Sequence, residues 1–468
     1  MTSSDMQASV VLRSPKDVRN FINTQPQARN SILIVLIALG GVFVDAYDFT
    51  SLGIGVVQLK SQFHLSPFEV GSVTAMMAFG AFIGALWGGY FTDKVGRFKM
   101  FLLDLIFLVV AAIGAALSVN LLMLLAFRFL MGLGVGLDFP VALSFIAEFV
   151  NERRKGGSVN LWQVMWYVAA SCTGLVVLPF YLAGAGTDLW RVAVGFGAVP
   201  AFIILLLRTK YMNESAQWAA HNVGLEEAGR IIERTYGVSV RVIKDTIKSS
   251  TPAQNLHFRE IFTSKYFTRT VLISIICATQ SMEYFAIGFN LPAISSKIFG
   301  SDFIFAILGA IVFNIAGILG GAAGVKMTWA VGVRRMAIIG YSMVIVALVL
   351  LYLGGHNLSL TETALLIGLF IFGHSFGPGA QGMTMATLSY PTTIRGIGTG
   401  WGQSMVRVGS IMGFYFFPIL VAAIGLRSMM LVLVLAPLLG LISALLIKWE
   451  PIGQSLDITE EISLSTGD

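Results

Sequence analysis

The chain has 468 residues, 56% of them apolar and only 12% charged, with 50 glycines and a formal net charge of +6; its mean hydropathy is +0.79. A soluble domain carries about 25% charged residues and about 7% glycine, so this balance excludes a soluble multidomain protein. The two cysteines, Cys172 and Cys277, sit inside apolar runs and give neither a disulfide framework nor metal-ligand spacing.

The first thirty residues are polar and basic and lack the apolar stretch of a cleavable signal peptide, so the first span is expected to direct insertion. A span needs about 20 mostly apolar residues. Twelve such runs are predicted, near 31–58, 67–91, 98–118, 121–148, 156–182, 190–208, 269–298, 303–325, 335–354, 361–388, 396–423 and 427–447. The expected fold is an all-α membrane protein. A cytoplasmic N-terminal tail (1–30) precedes a six-helix bundle (31–208). A cytoplasmic central loop (209–268), a second six-helix bundle (269–448) and a cytoplasmic C-terminal tail (449–468) follow.

Basic residues set the orientation of such a protein. With both termini inside, 25 of the 31 Lys and Arg fall on the cytoplasmic side; Lys60, Arg191, Lys297 and Arg427 fall outside, and Arg128 and Arg407 lie within spans. Short loops on one side therefore account for the positive charge, which excludes a nucleic-acid partner. The central loop contains a charged, helix-patterned run from Leu225 to Arg241. It has no Gly-rich phosphate loop and no Cys/His cluster, so no catalytic residues, metal site or cofactor are expected, and the chain reads as no enzyme. The expected surroundings are a bilayer, a small-molecule substrate and no further subunit.

The halves echo each other. Lys155-Gly156 and Arg395-Gly396 open the fifth and eleventh spans, and seven residues beyond each Gly stand Gln163 and Gln403. Such duplication places a binding site at the interface of the halves.

Ionisable groups inside a bilayer are costly and mark pathways. Asp45 and Asp48, midway through the first span, are three residues apart and share a helical face. Two carboxylates so close in a low dielectric do not both ionise, so they are candidates for a proton site, together with Glu283 in the seventh span and Asp138 in the fourth. Arg128 and Asp138 stand ten residues apart, about 15 Å along a helix, too far for a direct pair. Arg128 needs a first-span carboxylate or an anionic substrate, and the planar fork of Arg407 suits a carboxylate or phosphate. Trp162, Gln163 and Trp166 share one face of the fifth span and offer a stacking surface for a flat ring. Tyr47, Tyr284, Asn290, Gln381 and Gln403 complete the candidate substrate contacts, and His374 is a further titratable group nearby.

The segment Gly88–Lys99 is a short charged turn between two apolar runs. Its Gly89, Asp93, Lys94, Gly96, Arg97 and Lys99 strongly resemble the loop signature of the major facilitator superfamily. The fourth span, from Arg128 through Gly132, Gly134, Gly136, Asp138 and Pro140 to Glu148, resembles the sugar-porter, phosphate-symporter and organic-acid-symporter branches. Asp45-Ala-Tyr-Asp48 resembles the acidic motif of phosphate and aromatic-acid proton symporters. Glu214-Ser-Ala-Gln-Trp218 is similar to a sugar-porter segment, and Tyr390-Pro-Thr with Arg395-Gly396 to the loop before the eleventh span, although Leu388 stands where that family carries Glu. The resemblance implies two pseudo-symmetric bundles working by alternating access. It also implies a conformational latch of Gly89, Asp93, Gly96, Arg97, Glu148 and Arg153, lopsided because its second copy around Lys326–Arg335 lacks the Asp.

The expected function is secondary transport in the inner membrane. A proton as coupling ion would accompany import of a small metabolite, an organic or aromatic acid anion first. A neutral sugar or polyol porter and a phosphate symporter are the alternatives, ahead of a drug exporter or a transporter-like receptor.

Overall fold

In the computed structural model, which describes residues 10–24, 31–243, 257–300 and 302–454, the apolar runs are helices. Residues 1–9, 25–30, 244–256 and 455–468 of the expected tails and loop lie outside the described residues. Among those described, eleven helical segments are long and apolar enough to cross a membrane: Ser31–Phe63, Phe68–Val95, Arg97–Ala116, Leu121–Phe149, Glu152–Leu182, Gly186–Tyr211, Ser264–Ile287, Phe303–Val331, Val333–Gly354, Leu360–Leu388 and Ile419–Leu446. The remaining crossing is the first part of Arg395–Leu433, which turns at Gly425 (φ 79°) before the last span. It is less apolar because it carries Gln403, Ser404, Arg407 and Ser410, all buried against other helices. Twelve crossings in two groups of six result, and the chain is a multi-pass membrane protein.

Local chemistry sets the helix boundaries. Ser66 and Glu69 form a reciprocal capping box at the start of the second span, and Ser359 and Glu362 do the same at the tenth; each satisfies two amide groups that a helix start leaves open. The predicted seventh span, 269–298, is interrupted: helix ends at Ile287, a tight turn covers Gly288–Asn290, and Leu291–Phe299 resumes with Pro292 in its first turn. The tenth span widens at Ser375–Gly379, around Gly377 and Pro378. Proline there cannot donate to the preceding turn.

Close helix contacts use glycine. A Cβ at Gly132 of the fourth span would stand 2.1 Å from the Met77 carbonyl of the second. Between the halves, a Cβ at Gly89 would stand 2.5 Å from the Gly396 carbonyl, and one at Gly400 would stand 2.4 Å from that of Ala85. Small residues at such crossings let backbones meet.

The N-terminal segment and the central loop, expected as tail and linker, fold together. Val10–Leu12 pairs in parallel with Val240–Val242, in the register Val10 to Val240. Helices Pro15–Thr24, Ala216–Asn222 and Leu225–Tyr236 complete the unit. Leu12, Phe21, Trp218, Ile231 and Ile232 form its small apolar core. The amphipathic run from Leu225 is thus a helix that ends at Gly237 (φ 68°), where only a residue at ease in the left-handed region fits well. This unit marks one face of the protein, called the loop face below.

Candidate transport site and its flanking charge networks

A cavity lies between the bundles at mid-depth, lined by Phe139, Trp162, Gln163, Trp166, Gln280, Tyr284, Phe285, His374, Gln403, Val406 and Arg407. The fifth span contributes Trp162, Gln163 and Trp166 from one face, as their spacing requires. Trp162 meets the edge of Phe139 at 5.4 Å between centroids. Trp166 Nε1 donates to the Tyr284 hydroxyl at 3.0 Å, a hydrogen bond between the halves. Tyr284 stacks on His374 at 4.8 Å and 16°, and His374 Nδ1 lies 3.2 Å from Glu283 Oε1. The Arg407 guanidinium sits 4.6 Å over the Phe49 ring. Arg407 is buried, and its Nε and Nη1 have no hydrogen-bond partner. A second cavity shares Tyr284 and runs toward the face opposite the loop, past Thr50, Ile54, Gly174, Gly288 and Asn314.

The sequence-predicted group therefore divides. Trp162, Gln163, Trp166, Tyr284, Gln403 and Arg407 converge on the cavity. Tyr47 points into its own bundle, where its hydroxyl donates to the Ala193 carbonyl at 2.8 Å. Asn290 donates to the Ala286 carbonyl at 2.8 Å and lines a separate cavity inside the second bundle. Gln381 lies nearer the loop face, where its Oε1 accepts from Asn160 Nδ2 at 3.1 Å. Phe139, Gln280 and Phe285 also line the cavity, and Phe49 packs behind it on Trp166 and Arg407; none of the four is among the sequence-predicted residues. The phenylalanines are ordinary residues of apolar spans that only packing brings here, whereas Gln280, a polar side chain buried in the seventh span, carries the same signal as Gln163 and Gln403.

Asp45 and Asp48 are wholly buried, and none of their four carboxylate oxygens has a hydrogen-bond partner. Arg128 approaches the first span, as its need for a partner implied, but through the backbone: Nη1 donates to the Asp48 carbonyl at 3.2 Å, with Met131 Sδ at 3.4 Å. The cationic charge acting on Asp48 is that of Arg128, and the one acting on Asp45 is that of Arg407 from the other half. Asp138 has a different partner. Arg208 Nη2 donates to Asp138 Oδ1 at 2.7 Å, and Nη1 to both oxygens of Asp104 at 3.0 and 3.1 Å. The same guanidinium caps the carbonyls of Phe101 and Ala38. Arg208, counted by sequence among the loop cations, is wholly buried. Asp104 is the carboxylate inside the third span that the rule for intramembrane charges should have found.

On the loop face, Arg97 Nη2 bridges Asp93 Oδ1 (3.1 Å) and Glu148 Oε1 (2.7 Å). Asp93 in turn accepts the Gly396 and Ile397 amides of the other half at 3.0 and 2.9 Å. Arg395 Nη1, also from the other half, lies 3.3 Å from Glu148 Oε1. Arg153, expected here, is exposed, and Arg395 stands at Glu148 in its place. Gly96 supplies the sharp turn (φ 108°) that turns the second span into the third. Glu214 accepts the Arg97 and Phe98 amides at 2.8 and 3.1 Å. Burial pushes its carboxyl above the ordinary range, opposed by those amides, that of Ser215 and the Arg97 charge. The folded loop unit grips the same place: Trp218 Nε1 donates to the Asp93 carbonyl at 2.7 Å, and Gln217 Nε2 to that of Glu148 at 2.9 Å. Deeper in, Asn160 bonds Thr328 and Thr384 of the second bundle. The two bundles are thus joined on the loop face, and the cavity leads away from it.

The family model described as Major Facilitator Superfamily matches residues 38–381. The chain belongs to the major facilitator superfamily. It is 29% identical over 435 residues to the "Putative metabolite transport protein YaaU" of Escherichia coli (strain K12), covering 92% of this chain and 95% of that one. It is 25% identical to the "Niacin transporter NiaP" of Acinetobacter baylyi (81% and 84% covered) and 26% identical to the "4-hydroxybenzoate transporter PcaK" of Pseudomonas aeruginosa (85% and 88% covered). The solved structure of the proton:xylose symporter XylE superposes with a TM-score of 0.77 at 18% identity, covering 92% of this chain and 98% of that one. That likeness fixes the fold. The chain is a transporter of this superfamily and moves metabolites across a membrane; it is not an enzyme.

Proposed function

We propose that this transporter imports an organic acid anion, first an aromatic monocarboxylate, together with protons across the inner membrane. One observation carries the reading: a buried Arg407 with two unpartnered guanidinium nitrogens in a cavity walled by Trp162, Trp166, Tyr284 and Phe285. A guanidinium buried without an anion is costly, and its fork matches a carboxylate. The cavity holds about 20 Å³ in this closed arrangement, so a flat ring stacks between the aromatic walls, with its carboxylate on Arg407, only once the bundles part. Two relatives carry the names of aromatic acids, niacin and 4-hydroxybenzoate, which is consistent with this chemistry.

Protons enter through the first span. Asp45 faces the charge of Arg407 and Asp48 that of Arg128, so protonating a carboxylate and loading an anion are electrostatically linked. The two side chains are not hydrogen-bonded, but an ionised Asp45 competes with the substrate for the charge of Arg407, and protonation removes that competition. Cargo and proton load from the face opposite the loop, the bundles rock about the central cavity, and the joined loop face opens to release both. Asp93, Arg97, Glu148 and Arg395 set the energy of that opening, with the loop face on the cytoplasmic side.

Uptake into proteoliposomes under an inward pH gradient tests this reading. Benzoate-type carboxylates should compete, and neutral polyols should not. Asp45→Asn and Asp48→Asn should abolish uphill uptake, and Arg407→Lys should raise KM. Competition by polyols alone would favour a neutral sugar porter, the reading that Gln163, Gln280 and Gln403 in the same cavity support. Full uphill uptake by both Asp variants would overturn the proton assignment.

A further inference from the structure

Away from the loop face, the two halves close a helix end in the same way. Arg191, near the start of the sixth span, donates Nη1 to the Ala116 and Ser118 carbonyls at the end of the third, both at 2.7 Å. Arg427, near the start of the twelfth span, donates Nε to the Tyr352 carbonyl (2.8 Å) and Nη2 to that of Leu353 (3.4 Å) at the end of the ninth. The residues just before these arginines differ. Trp190 is wholly buried. Its ring lies 5.7 Å from that of Phe63, and its Nε1 donates to Gln62 at 2.6 Å. The first bundle is thereby filled at this level. In the second bundle the matching residue is Leu426, 37% exposed, and beside it lies a cavity of about 390 Å³.

Protein interiors leave few voids larger than a water molecule, and a space of this size falls within the ~300–1,000 Å³ of ligand pockets. Its walls are mostly apolar, formed by Ile287, Ile294, Ile367, Phe417, Val421 and Met430, with Asn290 and Thr363 the neutral polar members. Ile367 stands seven residues into the tenth helix from Leu360, so the cavity reaches about 10 Å below that helix end. Arg427 stands at its rim, and no acidic side chain is among the lining residues described. The Nη1 of Arg427 takes no part in the bonds to the ninth helix. Ile424 and Leu435, nearby on the outer surface, are 43% and 65% exposed, as residues facing lipid are.

We propose that this cavity binds one acyl chain of an anionic phospholipid from the adjoining leaflet, with the lipid phosphate on Arg427. The site is separate from the central cavity, from which the interrupted seventh span divides it. A chain entering from the leaflet supplies the apolar volume that Trp190 supplies in the first bundle, and the phosphate meets the exposed guanidinium.

Full-length protein, purified and delipidated in detergent, tests this by native mass spectrometry with phosphatidylglycerol or phosphatidylcholine added back. The wild type should retain one phosphatidylglycerol, bind it about tenfold more tightly than phosphatidylcholine, and melt several degrees higher in its presence. Leu426→Trp, which copies the first bundle, and Val421→Phe should each lower that retention about tenfold while keeping transport through the central cavity. Equal affinity for the two lipids, no lipid retained by the wild type, or undiminished retention in the filled variants would each overturn the proposal. The two-lipid comparison uses wild-type protein alone, so it decides the matter even where a filled variant does not fold.

Discussion

Glu214 and Glu450 hold matching places in the two halves of the protein. Glu214 accepts the Arg97 and Phe98 amides at the start of the third span, and Glu450 accepts the Val333 and Arg334 amides at 3.1 and 3.0 Å at the start of the ninth. Each carboxylate follows the last helix of its bundle and reaches back to a helix N-terminus, where open amides and the helix dipole favour an anion. Removing the charge with Glu214→Gln or Glu450→Gln should cost about 1–2 kcal/mol, read as a lower melting temperature. Glu214→Gln should also reduce transport, because its amide partner Arg97 holds the loop-face network.

That network is unequal between the halves. Asp93 binds Arg97 and two amides of the opposite bundle, whereas Arg334 caps a carbonyl of its own half. Asp93→Asn should therefore lower uptake at least about tenfold, and Arg334→Ala less than about twofold, a gap of ~1 kcal/mol in coupling. Equal losses in one uptake assay would show that the two loops share the task.

Gly89 and Gly400 meet across the bundles with no space for a side chain. Gly89→Val should act as a wedge on the loop face, raising the accessibility of Asn160→Cys to a water-soluble thiol reagent from that side. A clash this close costs about 1–3 kcal/mol, enough to shift a balanced two-state equilibrium several-fold. Unchanged labelling would place the joint elsewhere.

Among the described residues, Arg208 is the cation paired with the two buried carboxylates Asp104 and Asp138. Arg208→Ala leaves both in a membrane interior without a cation, and loss of folded protein by about 3–5 kcal/mol is expected. Asp104→Asn in the same chain should restore part of the yield in size-exclusion chromatography.

The architecture was legible because its signals are long. Twelve apolar runs and one-sided basic loops leave little choice of fold, and Gly89, Asp93 and Arg97 announce a joint before any contact is known. The central cavity was half legible. Arg407 and Asp45 betray themselves as charges in a bilayer, and Trp162, Gln163 and Trp166 by their spacing. Asn160 and Thr384 could not be read, since neutral polar residues are common in helices rich in small side chains and gain meaning only from a partner in the other bundle. Arg208 misled because it sits at a helix end, where an arginine ordinarily reaches for water; here the side chain turns inward to Asp104 and Asp138. The folding of the loop unit was hidden for another reason. Each of its strands is three residues long, and neither has a pattern until the other, more than two hundred residues away, lies beside it.

The pairing of Val10–Leu12 with Val240–Val242 returns the chain to its own beginning after six crossings. The first half is fastened where its two ends meet, and the second half has its own fastening at Glu450. The protein made as two polypeptides, divided between residues 243 and 257, should reassemble in one membrane, held by the joint at Gly89 and Gly400 and not by the peptide bond between them.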